Sequence, residues 1–159
     1  MRWTLKADWL FIIPATVVWL VALSIIIWDF VALQRATFHF GLAFITGAML
    51  IIIGVAIRAQ SRRALGKGFS YMLRVRPDHH LITEGIYKHI RHPAYVGDLL
   101  FHFGVALLFS SCWGLLAMFG LIPCLLYRIT IEEKMLTEKF GETYRTYMKS
   151  SKKLIPRIY

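Results

Sequence analysis

Three stretches of the sequence carry no Asp, Glu, Lys or Arg over lengths that suit a membrane. They cover residues 9–28, 36–57 and 99–127 and are 20, 22 and 29 residues long. A helix rises about 1.5 Å per residue, so about 20 residues cross the roughly 30 Å of a bilayer core. The first two stretches therefore predict one transmembrane helix each. A hydrophobic content of 57% and a mean hydropathy of +0.56 also indicate an integral membrane protein.

The N-terminal segment superficially resembles a signal peptide, because Arg2 and Lys6 precede the first apolar stretch. A signal peptide has an apolar region of roughly 7 to 15 residues and a small-residue cleavage site, and this segment has neither. We therefore expect it to be retained as the first span.

The third stretch is long for one transmembrane helix and short for two ordinary ones. The distribution of charge resolves this ambiguity. Residues 58–92 and 128–159 hold eight Lys or Arg each, whereas residues 29–40 hold only Arg35. Basic segments stay on the cytoplasmic side, so an even number of spans is expected to separate the two basic blocks. The third stretch is therefore predicted to form a helical hairpin.

The predicted fold is an all-α integral membrane protein with about four transmembrane helices, both termini cytoplasmic, and a cytoplasmic helical cap. The hairpin comprises residues 93–110 and 113–131 and turns within 110–114. The chain is one predicted domain, 1–159, with two spans in 1–58, a cytoplasmic segment in 59–92, the hairpin in 93–131 and a cytoplasmic tail in 132–159. Three pairs of small residues are spaced seven apart: Ala15 and Ala22, Gly47 and Gly54, Gly97 and Gly104. This spacing indicates faces where helices pack closely, although it could also reflect only the abundance of glycine in membrane helices.

Several classes of site are not indicated. No glycine cluster has the spacing of a dinucleotide-binding or phosphate-binding loop. Cys112 and Cys124 lack the spacing of a zinc site or a disulfide framework, so no metal is expected. His39 and His102 would differ in depth by about 13 Å, which excludes a shared haem. The basic residues that give the net charge of +10 flank the predicted spans. We therefore expect membrane lipids as partners, and not nucleic acid.

Polar residues gather where the third span begins. Pro93 suits the first turn of a helix, where its missing N–H leaves no bond unmade. The free N–H groups of that turn attract carboxylate or phosphate, and Tyr87, Arg91 and His92 come just before it. This junction is therefore a candidate binding site at the membrane surface.

Farther along the third span, Tyr95, Asp98 and His102 lie on one helical face. An ionisable residue inside a span costs about 2.5 to 3.5 kcal/mol to insert, so we expect Asp98 and His102 to face the bundle interior. This polar helical face is consistent with a functional site. It is equally consistent with a structural pair between Asp98 and His102 that stabilises helix packing.

Arg128 and Glu132 lie four residues apart at the end of the fourth span. Such residues often form an ordinary interfacial ion pair that contributes a few tenths of a kcal/mol. The predicted hairpin, however, returns them to the beginning of the third span, next to Tyr87, His92 and Tyr95. We therefore predict one pocket at the cytoplasmic membrane surface.

Two sequence blocks carry a resemblance to a known family. The first is GIYKHIRHPAYVG at 85–97, and the second is EExxLxxxFGxxYxxY from Glu132, followed by LIP. In this order and separation they closely resemble the isoprenylcysteine carboxyl methyltransferases, which are related to the membrane phospholipid methyltransferases. The resemblance covers residues 79–159. It implies a cytoplasm-facing pocket for S-adenosylmethionine and a lipidic or prenylated acceptor that enters from the bilayer.

The same resemblance implies roles for individual residues. Arg128 matches the arginine that orients the substrate, and Glu132 matches a glutamate that binds the cofactor. The other implied cofactor-binding residues are His79, His80, Leu81, Ile82, Tyr87, His92, Pro93, Ala94 and Tyr95.

The chemistry favours one acceptor class over another. Methyl transfer from a sulfonium is an in-line displacement, so alignment can supply most of the rate without a metal. A carboxylate acceptor needs an orienting cation, for which the rigid fork of Arg128 is suited. A phospholipid amine would need a base instead, from among His92, Asp98 and Glu133. Carboxyl O-methylation of an isoprenylcysteine-like substrate is therefore favoured, with phospholipid N-methylation, a membrane reductase on a similar scaffold and a non-catalytic lipid-binding protein as alternatives.

Overall fold

The computed structural model describes residues 3–34, 40–66 and 81–155. Its elements in chain order are α1 (Trp3–Asp29) with a π-helical turn (Phe30–Gln34), α2 (Leu42–Leu65), a 3-10 turn (Gly85–Lys88), α3 (Pro93–Leu108), α4 (Cys112–Met118), α5 (Leu121–Phe140) and α6 (Glu142–Ser150). Within those ranges, β-pairing is limited to an isolated bridge between Ile90 and Lys152. The predicted all-α class is confirmed.

Large apolar surfaces face outward on the long helices. Leu10 on α1 is 62% exposed and Ile52 on α2 is 68% exposed, and many neighbours are similar. Soluble proteins rarely expose continuous apolar surface on this scale, so these faces are suited to lipid and the prediction of an integral membrane protein is confirmed.

Length and composition allow three segments of the described chain to cross a membrane: Asp8–Leu33, Leu42–Leu65 and Cys112–Phe140. The third predicted span corresponds to α3, which is apolar but has only 16 residues.

Glycines let α2 and α3 pack with their backbones close together. A Cβ atom on Gly54 would lie 2.6 Å from the carbonyl oxygen of Gly97, and one on Gly104 would lie 2.8 Å from that of Gly47. No side chain fits at such distances, so the predicted packing role of these two glycine pairs is confirmed. The earlier glycine of α2 meets the later glycine of α3 and the reverse, so α2 and α3 run antiparallel.

The predicted hairpin is present and turns where expected. The third predicted helix ends at Leu108, Ser110 adopts a positive φ of 53°, and the side chain of Ser111 caps α4 by accepting a hydrogen bond from the backbone N–H of Gly114 at 3.0 Å. Helix α1 packs against α4 and α5. The buried core at this junction consists of Ala22, Ile26, Ala106, Met118 and Leu121.

The last long helix extends farther than predicted. The sequence suggested an end at 131, but α5 continues to Phe140 and ends at Gly141, whose positive φ of 55° suits glycine. The predicted end of the span stays a prediction, and the helix itself continues beyond it because charge alone does not end a helix and no glycine or proline occurs between 131 and 140. Residues 132–140, which the sequence analysis assigned to the tail, are therefore part of α5.

Candidate active site

The beginning of α3 and the polar half of α5 meet, as the hairpin predicted. The hydroxyl of Tyr95 donates a hydrogen bond of 2.7 Å to Oε2 of Glu132, and Nε of Arg128 donates one of 3.3 Å to the same hydroxyl. One tyrosine thus connects the two charged residues that the sequence singled out. The three residues lie in one cluster, which we call the α3–α5 cluster.

His92 completes this cluster from the N-cap of α3. Its Nε2 lies 3.3 Å from Oε1 of Glu133, and its Nδ1 lies 3.9 Å from Oε2 of Glu132. The imidazole also stacks on the ring of Tyr95, with centroids 5.7 Å apart. The buried imidazole is therefore held between two carboxylates.

The carboxylate of Glu133 is engaged by two basic side chains. It was considered as a base, but its carboxylate lies 2.8 Å from Nε of Arg91 and 3.6 Å from Nζ of Lys153. Nη1 of Arg91 also donates to the backbone carbonyl of Met148 at 3.1 Å and to that of Ser151. This network was missed, and it fastens the segment after α6 to the residues before α3.

Tyr87 is buried beside the cluster and is directed toward α2. Its hydroxyl donates to the backbone carbonyl of Ser61 at 3.5 Å, and its own carbonyl accepts a hydrogen bond of 2.6 Å from the hydroxyl of Tyr147. Burial raises the pKa of Tyr87, and burial likewise raises the pKa of Tyr147 to about 12. Both hydroxyls therefore remain protonated donors at neutral pH.

The remaining predicted site residues contribute backbone or apolar surface. Pro93 is fully buried at the first position of α3, and Ala94 is half-buried beside it. Leu81 and Ile82 are half-buried in the irregular segment before the 3-10 turn. His79, His80 and His39 lie outside the described residues.

Arg128 has a partner that sequence reasoning missed. Its Nη1 donates to Oδ1 of Asp8 on α1, and both side chains are only 4% exposed. The guanidinium carbon also lies 5.0 Å from the ring centroid of Phe11. A charge at the edge of the first apolar stretch was the only available signal, because 120 positions separate Asp8 from Arg128.

Asp98 and His102 face the bundle interior, as expected, but they do not pair through their side chains. The Asp98 carboxylate forms an ion pair with Arg58 of α2, while Nδ1 of His102 lies 2.6 Å from the backbone carbonyl oxygen of Asp98. An ion pair across the α2–α3 contact is therefore present in place of the structural pair within α3 that was one of the two alternatives.

Beside Asp98 and His102 lies a mainly apolar cavity of about 260 Å³. Residues of α1, α2, α3 and α5 line it: Phe11, Ile12, Ala15, Thr16, Trp19, Arg58, Asp98, His102, Leu121 and Leu125. Two of the helices that line it, α3 and α5, also carry the α3–α5 cluster, and Phe11 both lines the cavity and lies against the guanidinium of Arg128.

Two polar groups of the site are suited to a bound ligand. The side chain of Glu132 is 33% exposed although Tyr95 holds it. Within the described part of the chain, the Tyr144 hydroxyl is a buried polar group that makes no hydrogen bond. Burial raises the pKa of Tyr144, and the negative charge of Glu133 raises it further. Because buried polar groups are nearly always paired in native proteins, a polar ligand in this place would complete the site.

Comparisons with known proteins agree with this architecture. The family model described as phospholipid methyltransferase matches residues 42–143. The protein-S-isoprenylcysteine O-methyltransferase of Schizosaccharomyces pombe is 33% identical over 112 residues, which cover 68% of this chain and 47% of that protein. Protein-S-isoprenylcysteine O-methyltransferase B of Arabidopsis thaliana is 30% identical over 105 residues, covering 64% of this chain and 53% of that protein.

The fold is similar to that of a solved eukaryotic intramembrane Ras methyltransferase, isoprenylcysteine carboxyl methyltransferase. The TM-score is 0.73 at 26% sequence identity, with 90% of this chain and 52% of the other chain covered. The chain spans about half the length of the relatives it matches. The resemblance noted in the sequence is confirmed, and the chain belongs to the phospholipid methyltransferase family.

Proposed function

We propose that this protein is an S-adenosylmethionine-dependent methyltransferase that methylates the carboxyl group of an isoprenylcysteine-like lipid at the cytoplasmic membrane surface. One observation carries the proposal: a single face of α5 passes from apolar to charged. Leu121 and Leu125 line the cavity, and Arg128 and Glu132 follow on the same face. An acceptor with an apolar tail and a charged head matches this order.

The cavity suits the tail of such an acceptor. Its volume of about 260 Å³ is near the lower end of ligand pockets, which run from roughly 300 Å³ upward. Phe11 lines the cavity and also lies against the guanidinium of Arg128, so the apolar space leads directly to the cation. A lipid tail in the cavity would therefore bring its polar head to Arg128.

On the other side of Tyr95, Glu132 and Tyr144 would hold the cofactor, with His92 beside them. When bound, S-adenosylmethionine supplies a methyl group on a sulfonium, which is also the leaving group. The partly exposed Glu132 carboxylate is suited to accept hydrogen bonds from an amine or a hydroxyl, and the Tyr144 hydroxyl is a donor without a partner in the described chain. Tyr95 bonds to both Glu132 and Arg128, so it sets the spacing between the cofactor side and the acceptor side.

The charges around the site support a carboxylate acceptor over an amine. An amine must lose a proton before it attacks, and the candidate carboxylate bases are already engaged by cations. Glu133 contacts Arg91 and Lys153, and Asp98 pairs with Arg58. Pairing with a cation favours the ionised carboxylate and makes it a weaker base. A carboxylate acceptor needs no base and has Arg128 to orient it.

The relatives support the same choice, because those named above are protein-S-isoprenylcysteine O-methyltransferases. The matching family model describes phospholipid methyltransferases, which makes N-methylation of a phospholipid amine the second candidate. We assign the site to the cytoplasmic face because the two basic blocks flank it, in accordance with the positive-inside rule.

Transfer of labelled methyl from S-adenosylmethionine to a panel of prenylcysteine, fatty acid and phosphatidylethanolamine tests the proposal. We expect label in the prenylcysteine, released by mild alkali as methanol because the product is an ester. Label that resists alkali and stays with the phospholipid would establish the second candidate instead. No transfer to any lipid, together with tight binding of NADPH, would indicate a reductase; lipid binding with neither activity would indicate a non-catalytic protein.

A further inference from the structure

An ion pair lies in the wall of the mainly apolar cavity. Asp98 of α3 pairs with Arg58 of α2, and both residues line this space of about 260 Å³. Their side chains are 20% and 39% exposed, so a ligand in the cavity can reach both. Ionisable residues at membrane depth are costly to insert, and by default they indicate a functional site. The pair is therefore a candidate for direct contact with whatever fills the cavity.

The carboxylate of Asp98 can bind a hydrogen-bond donor while it stays paired with Arg58. The ion pair is made through Oδ1 of Asp98, and an ionised carboxylate has about four acceptor positions in all. Such a carboxylate accepts hydrogen bonds and donates none. The ligand group that suits this wall is therefore a donor. Because Arg58 already balances the charge of Asp98, the donor can be neutral.

Asp98 lies about one helical turn farther into the bundle than Arg128. Tyr95, whose hydroxyl bonds to Arg128, precedes Asp98 by three residues on the same face of α3. At about 1.5 Å per residue, this interval is about 4.5 Å. On α5, Leu125 precedes Arg128 by the same three residues, and it lines the cavity together with Asp98. Asp98 therefore faces the part of an acceptor that directly follows a carboxylate held by Arg128.

This interval suits the nitrogen of an amino acid. The nitrogen lies two covalent bonds from the carboxyl carbon, a span of roughly 2.5 Å. A hydrogen bond from its N–H adds about 2.9 Å. A fatty acid has the carboxylate but no N–H at this place. An ammonium group would bring a second cation beside Arg58, whereas the N–H of an amide is neutral.

We propose that Asp98 is a specificity-determining residue: it accepts a hydrogen bond from the amide N–H next to the acceptor's carboxyl group, so that the site selects a lipidated residue of peptide type over a fatty acid. The inference rests on the proposed function and names the acceptor group that the site distinguishes. Arg58 supports this role, because the acceptor carboxylate then approaches a balanced pair instead of a lone anion.

The test compares the affinities of two acids that differ in one group. N-acetyl-S-prenylcysteine carries the amide N–H, and S-prenylthiopropionic acid has hydrogen in place of the acetamido group. A hydrogen bond to a charged group corresponds to about 10- to 100-fold in affinity, so the wild type is expected to prefer the first acid by this factor. In Asp98→Ala the preference is expected to be lost. A ratio of affinities that Asp98→Ala leaves unchanged would overturn the proposal.

The ratio responds to recognition of the N–H and not to a merely structural role. A general disturbance of the cavity, including release of Arg58, changes the affinity of both acids alike, and so does partition of the acids into detergent. Thr16→Val is the matched control, since Thr16 lines the same cavity from α1. It is expected to keep the wild-type ratio. A loss of preference as large as that of Asp98→Ala would show that the general polarity of the cavity is responsible and would refute a specific role for Asp98.

A second pair of ligands tests the neutral charge of the donor. S-prenylcysteine with a free ammonium group is expected to bind to the wild type more weakly than its N-acetyl form, because Arg58 repels a second cation. Tighter binding of the free ammonium form would contradict the assignment to an amide.

A double variant keeps the proposal testable if Asp98→Ala does not fold. Arg58→Gln combined with Asp98→Asn removes both charges together and leaves no unpaired ion in the cavity. An uncharged acceptor binds the N–H more weakly, so the preference for the N-acetyl acid is expected to fall by about fivefold or more. An unchanged preference would overturn the role of Asp98.

Methyl transfer by the wild type separates this inference from the proposed function. Equal kcat/KM for N-acetyl-S-prenylcysteine and S-prenylthiopropionic acid would retain the methyltransferase and reject the role of Asp98. Absence of transfer to either acid would reject the proposed function, while the ratio of affinities still decides whether Asp98 recognises the N–H.

Discussion

Tyr95 on α3 donates a hydrogen bond of 2.7 Å to Glu132 on α5, and this contact holds together the two helices that build the site. The same hydroxyl accepts a hydrogen bond from Arg128. Glu132 thus keeps a fixed position although a third of its side chain is exposed. A carboxylate that is both fixed and accessible is well suited to binding a ligand, since little ordering is required when the ligand arrives.

Replacement of Glu132 by alanine is expected to abolish binding of S-adenosylmethionine while the protein still inserts into the membrane and stays monodisperse. The carboxylate is the accessible acceptor of the site, and hydrogen bonds to charged groups contribute about 1.5–3 kcal/mol each. Isothermal calorimetry measures the effect. Glu138→Ala removes an exposed carboxylate from the same helix and is expected to bind as the wild type does. Unchanged binding by Glu132→Ala would refute the assignment.

Replacement of Arg128 by lysine is expected to impair acceptor use and spare cofactor binding. Lysine keeps the charge beside Asp8 but lacks the planar fork that holds a carboxylate through two bonds. The loss of one charged hydrogen bond corresponds to a decrease of about 10- to 100-fold in kcat/KM for the acceptor. Steady-state methyl transfer measures it, with Arg145→Lys on the exposed face of α6 as control. Full turnover by Arg128→Lys would disprove the orienting role.

Replacement of Tyr144 by phenylalanine is expected to weaken cofactor binding without loss of stability. Within the described residues its buried hydroxyl makes no hydrogen bond, and removing such a group is neutral or stabilising by about 1 kcal/mol. Tyr147→Phe is the matched control, because the Tyr147 hydroxyl donates a hydrogen bond of 2.6 Å to the backbone carbonyl of Tyr87. Its removal is expected to lower the free energy of unfolding by about 1 kcal/mol. A stability loss for Tyr144→Phe as large as that of the control would show that its hydroxyl is already paired.

Replacement of Gly54 by leucine is expected to separate α2 from α3. Even a Cβ atom there would lie 2.6 Å from the carbonyl oxygen of Gly97, and overpacking costs about 1–3 kcal/mol or more. Ala56→Leu adds the same side chain at an exposed position of α2 and is expected to be tolerated. Thermal unfolding in detergent compares the two variants. Similar Tm values would mean that the glycine contact is not important for packing.

Features that depend on neighbouring residues were predictable from the sequence. Pro93 opens α3 because proline fits only the first turn of a helix, and the glycines seven apart mark the packed faces of α2 and α3. The meeting of Tyr95 with Arg128 and Glu132 also followed, since a short hairpin must return its two ends to one place. The end of α5 could not be predicted from the charged residues, because charged residues occur both inside helices and beyond their ends. The helix ends at Gly141.

The sequence by itself determined the membrane class, the hairpin and the residues of the α3–α5 cluster. Only the tertiary structure decided which charges pair: Asp8 with Arg128, Arg58 with Asp98, and Arg91 with Glu133. The physical reason is that hydrophobic length and helix signals act over a few residues, whereas an ion pair in a membrane protein forms wherever packing brings opposite charges together away from water. With 19 basic and 9 acidic residues, the sequence allows many pairings, and the arrangement of α1 against α5 selects the one that occupies Arg128.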